Sequence, residues 1–261
     1  MSKKSNKVTL PYSVSQNFLT SHRLIERLIK KAGLTAQDTV VEIGAGKGHI
    51  TKALSDSCKA VISYEIDQKL YEHLKPQLAE NVRLYGTDFL KCALPKTPYK
   101  VFANIPFSRT TEILCKLTNA EPLPDGIWLV MEKGAAMRFC GLPKENLNAL
   151  LIKPFFETRI IHHFSREDFH PAPRVDTVLL ALQRKETADI LPSQKRAFSA
   201  FLSHSLQYGL YGSHALLTKK QIAVALKCAG LPPIERSGDV LYIQWLCLFR
   251  CLQQFEKKPH R

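Results

Sequence analysis

The tetrapeptide Asn104-Ile105-Pro106-Phe107 directly follows an apolar run at residues 99–103, and its residue types suit chemistry on an aromatic amine. Such an amine is a weak nucleophile because its lone pair is delocalised into the ring. The side-chain oxygen of Asn104 and the carbonyl of Ile105 are two acceptors for it, while Pro106 stiffens the loop without a competing N–H. Phe107 offers a face on which a base can stack. A plain turn after a strand is the alternative interpretation.

A glycine-rich loop follows another apolar run, residues 39–43, and contains Gly44, Gly46 and Gly48. A helical pattern starts immediately afterwards. Glycine lets a ligand lie against the main chain, and a helix N-terminus offers unpaired N–H groups to that ligand. The spacing is G-x-G-x-G, which differs from the G-x-G-x-x-G of dinucleotide-binding sites. The pattern therefore predicts a cofactor loop of another kind.

Three acids lie at the ends of three successive apolar runs: Glu42, Glu65 and Asp88. Glu65 comes 21 residues after Gly44, where a carboxylate is placed to accept hydrogen bonds from a ribose diol. Acids at all three ends suit a ligand with a ribose, an adenine and a positive charge, and they suit a pyrophosphate poorly. S-adenosylmethionine fits this description better than NAD does.

The elements that must position these residues form an alternating pattern. The apolar runs are residues 39–43, 60–64, 82–85, 99–103, 127–131, 156–163 and 177–182. Helical patterns, including one over 133–152, separate the first six runs, which predicts a mostly parallel sheet covered on both faces. The last two runs have no helix between them, so an antiparallel final pair is expected. This is the α/β architecture of the Rossmann-like, seven-stranded S-adenosylmethionine-dependent methyltransferases.

The chain also divides into segments that differ in their secondary-structure pattern and in their charge. We predict a basic tail at 1–16, a catalytic domain at 17–184 and a small all-helical domain at 185–261, which we expect to bind RNA. Residues 1–16 hold three basic residues and no acid, and residues 185–261 have a net charge of +6. The whole chain has 37 basic and 23 acidic residues, a net charge of +14, for which nucleic acid is the natural partner.

The cysteines and the hydropathy of the chain indicate in which cellular compartment the protein acts. The seven cysteines are odd in number, scattered and without a C-x-x-C pair, which favours free thiols in a reducing cytoplasm over a metal site. No apolar run approaches the roughly 18 residues that span a bilayer. We therefore expect a cytoplasmic protein that uses neither a metal nor a membrane. A monomer is the default expectation, because the sequence gives no sign of an oligomer.

Taken in order, these motifs resemble the ribosomal RNA adenine N6-methyltransferases, and most of all their Erm macrolide-resistance type. The resemblance covers roughly residues 12–184 closely and the helical tail in general character. The segments that carry it are 15–18 (Ser-Gln-Asn-Phe), 42–48 (Glu-Ile-Gly-Ala-Gly-Lys-Gly), 65–67 (Glu-Ile-Asp), 88–90 (Asp-Phe-Leu), 104–107 (Asn-Ile-Pro-Phe) and 169–175 (Phe-His-Pro-Ala-Pro-Arg-Val).

The resemblance implies S-adenosylmethionine as methyl donor. It implies an adenine near the peptidyl-transferase centre of 23S rRNA as target, methylated before subunit assembly. Resistance to macrolides, lincosamides and streptogramin B would follow. The implied cofactor residues are Asn17 and Leu19 at the methionine part, Gly44 and Gly46 in the glycine loop, Glu65 at the ribose, Asp88 at the adenine amine, and Asn104 between cofactor and target. Phe107 would stack the target base, and Phe169 is a candidate for the opposite wall.

The sequence leaves three other functions open. A housekeeping small-subunit (16S) rRNA dimethyladenosine transferase shares nearly all the motifs, although its relatives more often have leucine in place of Ile105. A non-catalytic RNA-binding assembly factor is disfavoured by the intact cofactor motifs. A DNA adenine methyltransferase is disfavoured because no DNA-target domain is evident. The chain departs from the family at Phe107, where tyrosine is usual, and around Arg109.

Overall fold

The computed structural model describes residues 17–235 and 239–256. The predicted basic tail at 1–16 lies outside these residues. The strands are β1 (Phe18–Leu19), β2 (Thr39–Ile43), β3 (Ala60–Tyr64), β4 (Val82–Tyr85), β5 (Lys100–Asn104), β6 (Gly126–Glu132), β7 (Phe156–His163), β8 (Phe169–His170) and β9 (Thr177–Arg184). The helices are α1 (His22–Lys31), α2 (His49–Ser57), α3 (Gln68–Leu74), α4 (Thr110–Thr118), α5 (Lys133–Cys140), α6 (Leu147–Ile152), α7 (Lys195–Tyr208), α8 (Lys219–Cys228) and α9 (Tyr242–Glu256).

Seven strands form one sheet in the order β4-β3-β2-β5-β6-β9-β7. The pairs β2–β3, β2–β5, β3–β4 and β5–β6 are parallel. The residues that follow these strands therefore meet at one edge of the sheet, its carboxyl edge. The predicted α/β class is confirmed, and each predicted run matches a strand to within two residues. The antiparallel direction of the last strand stays a prediction.

A second, two-stranded sheet pairs β1 with β8 in antiparallel register, with Phe18 opposite His170 and Leu19 opposite Phe169. No sequence pattern predicts this sheet, because strands of two residues are too short to show a period. The pairing fixes the segment before α1 against the loop before β9.

The sheet is apolar on both faces, as expected for parallel strands covered by helices. Val101, Phe102 and Ala103 of β5 are completely buried. On one face the buried residues Ile25 and Leu28 of α1 belong to the same core cluster as Phe102. This core holds the strand ends in place at the carboxyl edge.

The helical stretch predicted at 133–152 is wrong as one helix, because it is split into α5 and α6. Gly141 adopts a φ of +76°, a left-handed conformation that ends helices. Pro143 then follows and cannot continue the helical hydrogen bonds. Asn146 caps the second helix by accepting a hydrogen bond from the N–H of Ala149.

The chain divides into two compact units: residues up to Lys133 with Ile160–Ala181, and Gly134–Arg159 with the chain from Leu182 onward. Aromatic side chains of α7 and α9 pack together in the second unit, where the Phe198 and Phe249 rings are 4.9 Å apart. The division predicted at residue 184 stays a prediction. Within the described residues, no helix combines the length and the apolar character needed to cross a membrane.

Candidate active site

A cavity opens at the carboxyl edge of the parallel strands, and it gathers most of the residues that the sequence motifs single out. Nine of them line it: Asn17, Gly44, Gly46, Glu65, Asp88, Asn104, Ile105, Pro106 and Phe107. They come from the segment before β1 and from the loops after β2, β3, β4 and β5. All of them belong to the first compact unit.

The glycine loop after β2 presents bare main chain to the cavity. Gly44 and Gly46 have φ values of +80° and +56°, a left-handed backbone conformation that residues other than glycine rarely adopt. A Cβ on Gly46 would lie 2.6 Å from Cε1 of Phe18, so the Phe18 ring occupies the space that a side chain would take. A Cβ on Gly44 would meet no atom closer than 3.8 Å and would fill open space in the cavity.

Glu65 is fixed in place by backbone donors. Its Oε2 accepts from the N–H of Gly46 at 2.7 Å and its Oε1 accepts from the N–H of Asp67 at 2.8 Å. The side chain is only 3% exposed, yet it lines the cavity. Each carboxylate oxygen has further lone pairs, so a diol can bind without displacing either N–H.

Glu42 lies beneath the loop and does not line the cavity, so the expectation that all three acids face a ligand is wrong for it. Its Oε2 accepts from the hydroxyls of Thr51 at 2.7 Å and Ser63 at 2.6 Å. Its Oε1 is buried without a hydrogen-bond partner among the described residues. Burial raises the pKa of Glu42 to about 7, with a further rise from Glu65, although the two hydroxyl hydrogen bonds lower it.

The loop after β4 is held from two sides. Asp88 Oδ1 accepts from the N–H of Leu90 at 2.9 Å, which leaves its second oxygen for the cavity. The ammonium of Lys116 on α4 donates to the carbonyl of Phe89 at 2.6 Å and also to the carbonyl of Cys92. The same ammonium lies 4.8 Å from the centre of the Phe89 ring. Lys116 therefore positions the segment that carries Asp88.

Asn104, the last residue of β5, has its orientation set by a backbone acceptor. Its Nδ2 donates to the carbonyl of Asn17 at 2.7 Å. One N–H of the amide is used there, and this leaves Oδ1 available as a hydrogen-bond acceptor. The catalytic role expected of Asn104 from its place in the tetrapeptide stays a prediction.

The rest of the tetrapeptide is a short, stiff turn. Ile105 is buried, and its N–H donates to the carbonyl of Val130 at 3.3 Å. The N–H of Arg109 donates to the carbonyl of Pro106 at 2.9 Å, and the hydroxyl of Thr110 donates to the carbonyl of Phe107 at 3.0 Å. Phe107 thus lies at the wall of the cavity on a backbone that is closed by two hydrogen bonds.

Two of the predicted site residues do not line the cavity. Leu19 is buried in the core cluster, so any contact with a ligand would come from its backbone. Phe169 is 4% exposed and packs edge-on against Phe164, with ring centres 5.3 Å apart. This placement does not support Phe169 as a wall against the target base, and that role stays an untested prediction.

Phe18 and Ile66 line the cavity although no sequence motif assigns them a role. Ile66 directly follows Glu65 and is 42% exposed, which is unusual for a large apolar side chain. An apolar residue after a strand-end acid was the available signal for it, since an adenine ring needs an apolar surface. Phe18 had no such signal, because its place against Gly46 depends on the β1–β8 pairing.

Proteins of similar sequence belong to one family of RNA-methylating enzymes. The family model described as "Ribosomal RNA adenine dimethylase" matches residues 9–207. A protein named rRNA adenine N-6-methyltransferase from Lysinibacillus sphaericus is 33% identical over 244 residues, which cover 92% of this chain and 96% of the relative. These matches confirm the resemblance to the rRNA adenine N6-methyltransferases.

Two solved structures are similar over most of the chain. The 23S rRNA methyltransferase ErmE superposes with a TM-score of 0.79 at 26% identity, covering 91% of this chain and 100% of that one. A dimethyladenosine transferase from Plasmodium falciparum superposes with a TM-score of 0.67 at 21% identity, covering 92% of this chain and 89% of that one. The second likeness supports the fold alone.

The buried Glu42 predicts a pH dependence of stability. The pKa of Glu42 in the folded chain, about 7, lies above the ordinary 4.5. The protonated side chain therefore contributes fully to the free energy of unfolding below pH 4.5, and this contribution is lost as the pH rises to about 7. At about 1.4 kcal/mol for each unit of pKa difference, the loss is about 3 kcal/mol. Glu42→Gln removes this titration. The unfolding free energy of the wild type relative to Glu42→Gln should therefore fall between pH 4.5 and 7.5 and stay level above.

Urea unfolding of both proteins without ligand, in a Trp245→Phe background, measures this through the fluorescence of Trp128. That residue is the remaining tryptophan and is buried in the same core cluster as α1. Parallel stability curves across the whole pH range would show that Glu42 ionises normally in the folded chain.

Proposed function

The chain belongs to the ribosomal RNA adenine dimethylase family, and from this premise we propose that it transfers methyl from S-adenosylmethionine to the exocyclic N6 of an adenine in 23S rRNA. The observation that carries the proposal is the orientation of Asn104, whose amide nitrogen is held by the carbonyl of Asn17. A hydrogen-bond acceptor then faces the cavity at the end of β5, where an amine must be held.

The side chains that line the cavity provide the hydrogen-bond acceptors and the apolar surface that the proposed cofactor needs. Glu65 can accept from the ribose hydroxyls, Ile66 offers an apolar surface to the adenine, and Asp88 has an oxygen left for the adenine amine. The open space at Gly44 leaves room for a ligand against the main chain. When bound, S-adenosylmethionine supplies a methyl group that its sulfonium has already activated. Asn17 and the backbone of Leu19 would hold its methionine part.

At the target amine, the chain contributes acceptors in place of a strong base. The carbon–sulfur bond of the donor breaks as the carbon–nitrogen bond forms, S-adenosylhomocysteine remains, and the surplus amine proton can leave after transfer. Asn104 Oδ1 and the carbonyl of Ile105 would each accept one N–H of the amine, which favours a pyramidal nitrogen with its lone pair free. Pro106 adds no competing donor there. Phe107 would hold the base by stacking, after the base has left its helix. Positioning and hydrogen bonds to developing charge are then the main sources of rate enhancement.

The choice of 23S rRNA rests on the likeness to ErmE, which is 26% identical and superposes over 91% of this chain. Methylation at the peptidyl-transferase centre would give macrolide, lincosamide and streptogramin B resistance. An enzyme of this kind would act in the cytoplasm, as a monomer, on rRNA before subunit assembly. The alternative target, small-subunit rRNA, involves the same chemistry and the same residues.

The direct test of the target offers unmethylated large-subunit and small-subunit rRNA separately, with radiolabelled S-adenosylmethionine, and locates the modified base by primer extension. We expect label in the large subunit at one adenine near the peptidyl-transferase centre. Label in the small subunit alone would assign the chain to the housekeeping reaction. Absence of label from both would overturn the proposed activity.

Asn104→Ala tests the role of the acceptor. Loss of one preorganised hydrogen bond to developing charge lowers kcat by about 10²–10³. We expect a decrease of that order in methyl transfer, while binding of S-adenosylhomocysteine, measured by calorimetry, changes much less. Asn119→Ala is the matched control, because Asn119 is an exposed residue at the end of α4. Undiminished turnover in Asn104→Ala would contradict the assignment.

Stacking by Phe107 is tested with two substitutions at one position. Stacking of a base on an aromatic side chain contributes about 1–3 kcal/mol, so Phe107→Ala should lower kcat/KM for rRNA by about 5- to 160-fold. Phe107→Tyr retains the ring and should stay within about threefold of the wild type by the same argument. Phe255→Ala controls for loss of an exposed phenylalanine elsewhere. Equal activity of all three variants would show that stacking is unimportant.

A further inference from the structure

One face of α1 is strongly basic, and the proposed reaction does not use it. Leu24, Ile25, Leu28 and Ile29 form the buried face of this helix. Arg23, Arg27 and Lys30 are exposed on the other side and are called here the basic face of α1. They follow one another at intervals of four and three residues, so they lie along one side of the helix.

The charge of this face is partly compensated by one acid, Glu26, which lines the same surface hollow as Arg23, Arg27 and Lys30. In the sequence of α1 the one acid is Glu26, and its carboxylate lies 3.5 Å from Nδ1 of His22. The last turn adds Lys31, whose ammonium donates to the carbonyl of Ile161 on β7. The pKa of His162 is lowered by burial first and then by Lys31; Asp168 raises it, and Arg27 and His163 lower it by smaller amounts. The positive field of α1 thus extends to the neighbouring strand.

The basic face follows closely, along the chain, on a segment that lines the cavity. Phe18 lines the cavity, and Arg23 is five residues further along the chain, just after the Ser21 cap of α1. From Arg23 to Lys30 the helix rises by about 10 Å, at 1.5 Å per residue. The exposed Lys47, in the glycine loop, has its ammonium 5.1 Å from the centre of the Phe18 ring. Positively charged side chains therefore lie beside the cavity-lining Phe18 and along α1, which follows it in the chain.

A base that enters this cavity brings its own strand with it, and the phosphates on either side of the base must lie near the rim. Lys and Arg side chains gain affinity for such a strand by releasing its counterions. We propose that the basic face of α1, together with Lys47, binds the phosphates of the RNA strand that leads to the target adenine. This inference rests on the proposed function, because it takes RNA as the substrate.

The experiment compares two charge reversals of equal size in the full-length protein. Arg23→Glu/Arg27→Glu changes the basic face. Lys59→Glu/Lys96→Glu is the matched control, because both lysines are exposed and precede β3 and β5, at the end of the sheet opposite the cavity. The probe is an unmethylated, protein-free 23S rRNA transcript, and its Kd is measured from 50 to 300 mM KCl.

We expect the Kd for RNA to rise at least tenfold in the α1 variant and less than threefold in the control. The slope of log Kd against log salt should become shallower by about 0.7 for each phosphate of a single strand that the variant no longer neutralises. Binding of S-adenosylhomocysteine and kcat at saturating RNA should stay at the wild-type value. Arg23→Gln/Arg27→Gln, which introduces no new charge, should give the same changes to a smaller extent and serves if the reversal impairs folding.

Equal weakening in the α1 and control variants would overturn the inference, since it would reflect net charge alone. A wild-type Kd in the α1 variants would overturn it as well. Failure of the proposed function is recognised separately, from the wild-type protein: it would transfer no methyl to either rRNA. A wild type that methylates rRNA with α1 variants that bind normally would leave the function intact and reject only the role of α1.

Discussion

The hydrogen bond from the Asn104 amide to the Asn17 carbonyl, 2.7 Å long, decides which chemical group the end of β5 presents to the cavity. An asparagine side chain can turn either a donor or an acceptor towards a ligand, and the two choices have opposite consequences for an amine. The Asn17 carbonyl holds the amide nitrogen and so favours the oxygen as the group that remains for a ligand. Its own position depends on β1, which pairs with β8 and buries Leu19 in the core.

A second constraint joins the same segment to the glycine loop. Phe18, between Asn17 and Leu19, occupies the space above Gly46 that any side chain there would need. Gly46 in turn donates its N–H to Glu65. The orientation of Asn104 and the position of Glu65 therefore depend on one short stretch of chain. This explains why a two-residue strand outside the main sheet matters for the site.

Much of this arrangement follows from local sequence signals. The apolar runs and the helices between them predicted the sheet, because parallel strands buried on both faces are continuously apolar. Because these strands are parallel, the loops after β2, β3, β4 and β5 lie at the same edge of the sheet. The predicted topology therefore places Gly44, Glu65, Asp88 and Asn104 close together. Most of the predicted site residues lie at these strand ends, and Asn17, Leu19 and Phe169 are the exceptions.

The features that sequence patterns missed depend on contacts between distant segments. The β1–β8 pairing joins residues 18 and 170, and no local pattern predicts it. The burial of Phe169 follows from that pairing and from Phe164. Glu42 lies within β2, one residue before its end, whereas Glu65 follows the end of β3. Thr51 and Ser63 bind Glu42 beneath the loop, and these contacts between distant segments are visible only in the assembled fold.

The most direct test of the proposed site is a crystal structure of the protein with S-adenosylhomocysteine bound, at a resolution that distinguishes the two orientations of the Asn104 amide. We expect the ribose hydroxyls at the carboxylate of Glu65, the adenine against Ile66, and Asn104 Nδ2 still on the Asn17 carbonyl. A ligand bound outside this cavity, or an Asn104 amide turned with its nitrogen towards the ligand, would contradict the proposed roles of these residues.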